Sequence, residues 1–168
     1  FSILVLSSPL FALETQHVVI VVIDGARYTE TFGDGTHLYV PRMWNDLRPA
    51  GTLYSAFYNN GRTETSPGHS TILTGVYEDV NNAGGERPHS PTVFEYLRKE
   101  DGALAQENFV VLGKTKLETL TYSDYTGYGA SYGASKSQAP SQYNDNQAAD
   151  SVKHVLQTFH PRLLIVNL

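Results

Sequence analysis

A chain of 168 residues with a formal charge of −5 and no cysteine is long enough for one domain with its own core, yet it excludes several chemistries. Nucleic-acid binding needs clustered Lys and Arg to neutralise phosphates, and the sequence carries no basic run. Disulfide frameworks, Cys-ligated zinc and thiol catalysis are ruled out, so any metal must be held by Asp, Glu, His, Asn or hydroxyl oxygens.

In chain order, Phe1–Ala12 (FSILVLSSPLFA) is apolar with small residues before Ala12. It reads as the hydrophobic part and cleavage zone of an export signal, over positions 1–14, with a buried N-terminal strand as the alternative. The segment is too short to span a bilayer, so stable membrane insertion is not expected; a secreted or periplasmic location is. His17–Ile23 (HVVIVVI) has the continuous β-branched pattern of a central parallel strand, ended by Asp24-Gly25. Pro41–Leu47 suits a short helix and Gly51–Tyr58 a second extended segment. Ser66-Pro67-Gly68-His69 opens a helix, with Ser66 as its cap, that Gly75 closes. Ser90-Pro91 starts another over Thr92–Lys99, with Val93, Phe94 and Leu97 on one face. Asn108–Leu112 is a third strand. Tyr122–Tyr143, rich in Tyr, Gly and Ser, reads as a long surface loop or lid. A helix over Asn146–Thr158 places Ala149, Val152, Val155 and Leu156 on a stripe. Leu163–Val166 is the last strand. The pattern Arg162–Leu168 runs into the final residue, whereas a parallel strand ordinarily continues into a loop and helix, so the chain is expected to stop inside its domain. Alternating strands and helices predict an α/β sandwich around a mostly parallel sheet.

Ligands of open parallel sheets bind outside the carboxyl ends of the strands. Asp24 follows the first strand, Thr65 follows the extended segment, and Lys114 and Lys116 follow the third strand. A carboxylate ending an apolar run is costly to bury unless paired or metal-bound; the alternative is an ordinary Asp-Gly turn. Thr65 stands just before a helix start, where unpaired N–H groups and the positive dipole end favour an alkoxide and a bound phosphoryl group. Threonine is a weak nucleophile until a metal activates it. The alternative for Thr65 is plain capping.

The segments VVIDG (Val21–Gly25) and TETSPGHSTILTG (Thr63–Gly75) resemble the alkaline phosphatase superfamily. The similarity is to its Thr-nucleophile branch, the nucleotide pyrophosphatase/phosphodiesterase-like and phosphate-monoesterase-like enzymes. It is strong over Val18–Tyr77 and weaker to the C-terminus. The resemblance implies an alkaline-phosphatase-like α/β/α sandwich, incomplete at its C-terminus, with 15–168 as the N-terminal part of a hydrolase domain. It implies two divalent metal ions, zinc by expectation, with Asp24 a ligand and Thr65 both nucleophile and ligand. It also implies an Asn downstream of the nucleophile helix that holds a phosphoryl oxygen, for which Asn82 is preferred over Asn81. Lys114-Thr115-Lys116 resembles the family's Lys-x-Arg phosphate clamp, although Lys lacks the bidentate grip of Arg. The implied reaction on a small phosphorylated substrate is a two-step displacement through a covalent phospho-threonine. The other metal ligands should lie beyond Leu168, so activity is expected of the longer protein. His69 belongs to the motif and reads as structural.

A sulfatase of the same superfamily is the nearest alternative, but the Arg expected after its nucleophile and Pro is replaced here by Gly68-His69. Gly129–Gly133 (GASYG) fits the spelling of a serine-hydrolase elbow, which requires a strand before it and a helix after. Asp24-Gly25-Ala26-Arg27 lacks the glycine fingerprint of dinucleotide binding. A truncated, non-catalytic α/β domain is the reading outside enzymology.

Overall fold

The computed structural model describes Thr15–Leu168; the expected export signal lies outside the described residues. Four strands form an all-parallel sheet in the order β1-β4-β2-β3. They are β1 (Val18–Val22), β2 (Asn108–Leu112), β3 (Ser135–Gln138) and β4 (Leu163–Asn167). The helices are α1 (Thr65–Thr74), α2 (Val93–Lys99) and α3 (Asp145–Phe159).

The side-chain period of two along β2 and β4 builds a core on each face of the sheet. Val110, Leu112, Leu163 and Ile165 pack against Leu73 of α1, Phe94 of α2, and Leu117 and Leu120 of the 3-10 segment Thr115–Thr121. Phe109, Val111, Leu164 and Val166 turn the other way, onto Ala148 and Val155 of α3. Every residue of β2 and β4 is buried, which explains their unbroken apolar spelling. Each fully buried Leu or Ile contributes roughly 1.5–3 kcal/mol by leaving water.

Several expectations change. Although β1 has the most apolar sequence, it lies at the edge, and Val18, Val19 and Val21 remain 41–49 % exposed. Among the described residues it pairs with β4 alone. Gly51–Tyr58 joins no ladder; its apolar residues project as an exposed surface instead. Pro41–Leu47 forms a short irregular helix, with a π-type turn over Met43–Leu47. On α2, Val93 is exposed, while Glu95 is buried beside Phe94. On α3 the buried alanine is Ala148, one residue before the expected Ala149.

The Tyr122–Tyr143 stretch is not a free lid. It contains β3, whose polar sequence SKSQ hid it, and α2 pins the rest. The Glu95 carboxylate accepts hydrogen bonds from Thr92 N (2.7 Å), Thr92 Oγ1 (2.9 Å), Ser123 N (3.1 Å), Ser123 Oγ (2.8 Å) and Gly129 N (2.6 Å). Arg98 donates to Gly133 O at 2.6 Å, and Lys99 donates to Gly127 O at 3.0 Å. No helix among the described residues is long and apolar enough to cross a membrane.

Candidate active site

Parallel strands bring their carboxyl ends to one rim, and β1, β4 and β2 deliver Asp24, Asn167 and Lys114 there. The backbone N–H of Asp24 donates to Leu168 O at 2.8 Å, which extends the β1–β4 ladder and fixes where the carboxylate stands. One carboxylate oxygen accepts from the Lys114 ammonium. The other accepts from Asn167 Nδ2 at 3.1 Å. Partial burial opposes ionisation of Asp24, but the hydrogen bonds from Lys114 and Asn167 outweigh it and hold the carboxyl below its ordinary range.

Thr65 arrives by another route than expected. It does not follow a strand, because Gly51–Tyr58 is not one. It is the first residue of α1, whose cap position is Glu64, two residues before the expected Ser66. Ser66 is not the cap: its hydroxyl is buried without a partner. Glu64 holds the capping position but makes no capping bond, since Arg62 grips its carboxylate at 2.8 and 3.0 Å. Asn82 caps from a distance instead, its Oδ1 accepting the Ser66 N–H at 3.1 Å. The same oxygen accepts from Lys116 Nζ at 3.0 Å, and Asn82 O accepts from that ammonium at 3.3 Å. Among the described residues the hydrogen bonds of the Asn82 side chain run through its oxygen, which leaves Nδ2 as a spare donor. Lys116 makes no ion pair with a carboxylate among the described residues, and its charge acts on Glu64, the residue that precedes α1. Gly84 permits this placement: its φ is +80°, and a Cβ there would lie 2.4 Å from Lys116 Cβ.

His69, one helical turn after Thr65, was read as structural, and it is 96 % buried. Its Nδ1 lies 2.7 Å from Thr65 O. A carbonyl only accepts, so Nδ1 carries the proton. Burial pushes the ring's pKa down and keeps it neutral, leaving a lone pair on Nε2, which has no partner. The ring thus ties the Thr65 carbonyl to the helix core.

Asp24, Thr65 and His69 line one cavity of about 390 Å³, together with Phe57, Tyr58 and Tyr77. All five residues singled out in the sequence therefore gather at one rim: Lys114 on Asp24, and Lys116 with Asn82 on the helix that opens with Thr65. Lys114 has a carboxylate partner, and Lys116 is the free cation. Sequence reasoning missed Asn167, whose role follows from β4 lying between β1 and β2. It also missed the aromatic wall, whose signal was the pair Phe57-Tyr58 in a segment assigned to a strand.

The donors at the rim that suit a divalent cation are the Asp24 carboxylate and the Thr65 hydroxyl, which makes no hydrogen bond to a described residue. Among the described residues no three His, Cys, Asp or Glu side chains cluster as a metal site. These two oxygens therefore fit as part of a ligand set. The GASYG spelling has no hydrolase geometry, because a 3-10 turn at Ala130–Tyr132 leads into β3 and no strand precedes it. No family model matches the chain, and neither the curated proteins nor the solved structures give a match.

Proposed function

We propose that this chain carries the nucleophile half of a metal-dependent phosphoric ester hydrolase of the alkaline phosphatase superfamily, Thr-nucleophile branch, in an exported protein. The observation that carries the reading is the position of Thr65. Its hydroxyl makes no hydrogen bond to a described residue, and Thr65 opens α1 and shares a cavity with Asp24, while Asn82 contacts the helix start and Lys116 contacts Asn82.

The helix start supplies the Thr65 N–H and the positive end of a dipole; the Ser66 N–H is held by Asn82, the Gly68 N–H by Glu64 O, and Pro67 has none. Lys116 adds a full charge, and Asn82 Nδ2 adds a directed donor. Together they bind the non-bridging oxygens of a tetrahedral oxyanion and stabilise charge developing on them. Thr65 Oγ1 gives up its proton to solvent and forms a bond to phosphorus. The bond from phosphorus to the ester oxygen breaks, and the departing alcohol takes a proton from solvent. Water then hydrolyses the phospho-threonine and restores the hydroxyl. Asp24 and Thr65 would hold one of two divalent cations, zinc by the resemblance; when bound, such an ion acidifies the hydroxyl and neutralises phosphoryl charge. Lys114 and Asn167 keep Asp24 ionised and oriented for that role.

The test is hydrolysis of nitrophenyl mono- and diesters by the whole protein supplied with zinc. Thr65→Ala is expected to lose roughly a thousand-fold or more in kcat without loss of thermal stability, and Thr65→Ser to recover part of it. Full activity in Thr65→Ala rules out the nucleophile and the reading with it.

A further inference from the structure

The cavity beside Thr65 has two unlike sides. One is polar and carries Asp24, Glu64 and the Thr65 hydroxyl. The other is apolar, built from Phe57, Tyr58, Ile72 and Tyr77, and no Lys or Arg lines the cavity. Phe57 is 84 % exposed, Tyr58 81 % and Tyr77 64 %. None of these three rings packs against another ring among the described residues. Large aromatic side chains left bare around a concave wall mark a binding surface. The wall is also held in place. The Tyr77 ring lies so close to the Gly61 backbone that a Cβ at Gly61 would come within 2.4 Å of it. The Asn59 side chain accepts the Gly61 N–H at 2.8 Å and fixes the turn that carries the wall.

Charge selects the occupant. The carboxylates that line this cavity belong to Asp24 and Glu64, and no Lys or Arg side chain lines it. A substrate portion that carried a second phosphate would find no cation there to hold it. An uncharged ring would cover apolar surface and meet aromatic faces and edges.

We propose that the Phe57–Tyr58–Tyr77 wall is a subsite for an uncharged aromatic ring on the esterified alcohol, which makes aryl-bearing esters, rather than polyphosphates or small alkyl phosphates, the preferred substrate class. The proposal rests on the Thr65 reading for the place of the phosphoryl group. A binding experiment separates the two. Phenylphosphonate, methylphosphonate and benzyl alcohol are titrated into the whole protein supplied with zinc, by calorimetry and by NMR. The same titrations are run on Phe57→Ser and Tyr58→Ser, whose side chains are too exposed for their loss to unfold the protein. Phenylphosphonate is expected to bind on the order of ten-fold tighter than methylphosphonate, and both variants should erase most of that difference. Equal affinity of the two phosphonates overturns the subsite while leaving the oxyanion site standing. A preference that persists in both variants overturns it too, because the ring then binds elsewhere. Should neither phosphonate bind while benzyl alcohol binds in a Tyr58-dependent way, the subsite stands and the hydrolase reading fails. No binding of any of the three overturns both.

Discussion

The oxygen of the Asn82 amide satisfies the Ser66 N–H and the Lys116 ammonium, and the amide nitrogen is the donor proposed for the oxyanion. Substitution separates the tasks. Asn82→Ala removes both, and should cost about 1 kcal/mol of stability, the usual value of a lost helix cap, together with weaker phosphate binding. Asn82→Asp keeps the acceptor and puts a carboxylate beside Lys116, so stability should hold while phosphate affinity collapses by repulsion. Thermal melts paired with phosphate titration check this, and equal phosphate affinity in Asn82→Asp would remove Asn82 from the oxyanion site. At this scale much was legible. Asp24 and Thr65 could be singled out because one follows a strand and the other opens a helix, whereas Asn82 was suggested by the family resemblance alone. The capping role of Ser66 was misread because a long-range cap leaves no trace in local spacing. Tyr128 offers a pH test remote from the site. Burial, and the hydrogen bond from its hydroxyl to Glu100 at 3.1 Å, raise its pKa above the ordinary phenol value. The unfolded chain therefore loses that proton first. The contribution is complete below about pH 10, the ordinary phenol pKa, and disappears as pH rises through the higher folded value. Spectrophotometric titration of Tyr128→Phe should lack the latest-ionising phenol of the wild type.

Between α2 and the segment that follows β2, the decisive contact is a buried carboxylate. Glu95 closes the capping box with Thr92, which sequence spacing allows, and it reaches on to Ser123 and Gly129, which spacing does not show. Five donors converge on it, so Glu95→Gln would aim an amide NH2 at groups that also donate. A loss of about 2–4 kcal/mol is expected, as for a buried charged partner removed from its network. The 122–134 segment should then open to protease before the sheet melts; unchanged cleavage in Glu95→Gln would show that the segment orders itself. The other differences at this scale share one cause. Apolar pattern reports how much a segment prefers burial, and neighbours decide whether it is buried. β1 is more apolar than its edge position uses, β3 is polar and still pairs with β2, and Gly51–Tyr58 spends its apolar residues on the cavity wall.

Across the molecule, the α/β class and the parallel sheet were readable because β2 and β4 are apolar on both sides and helical spacing separates them. The strand order was not readable, since a parallel ladder carries no local signature of its partner. That order assembles the site: β4 lies between β1 and β2, so Asn167 stands between Asp24 and Lys114. The cavity likewise draws Asp24, the Phe57-Tyr58 pair, Thr65 and Tyr77 from separate stretches of the chain.

The pairing of β1 with β4 joins Val18 to Leu163 and Val22 to Asn167, residues near opposite ends of the described chain. Contacts of such long sequence separation close late and slow folding. During synthesis the VVIVV strand leaves the ribosome long before its partner exists. Until α3 has formed and β4 has emerged, an uncharged β-branched edge waits without hydrogen-bond partners, the condition that invites pairing with other chains. Asp24 meets Asn167 only at the end of that interval. That contact therefore forms late, and its formation depends on how well the first strand is shielded while the chain is made.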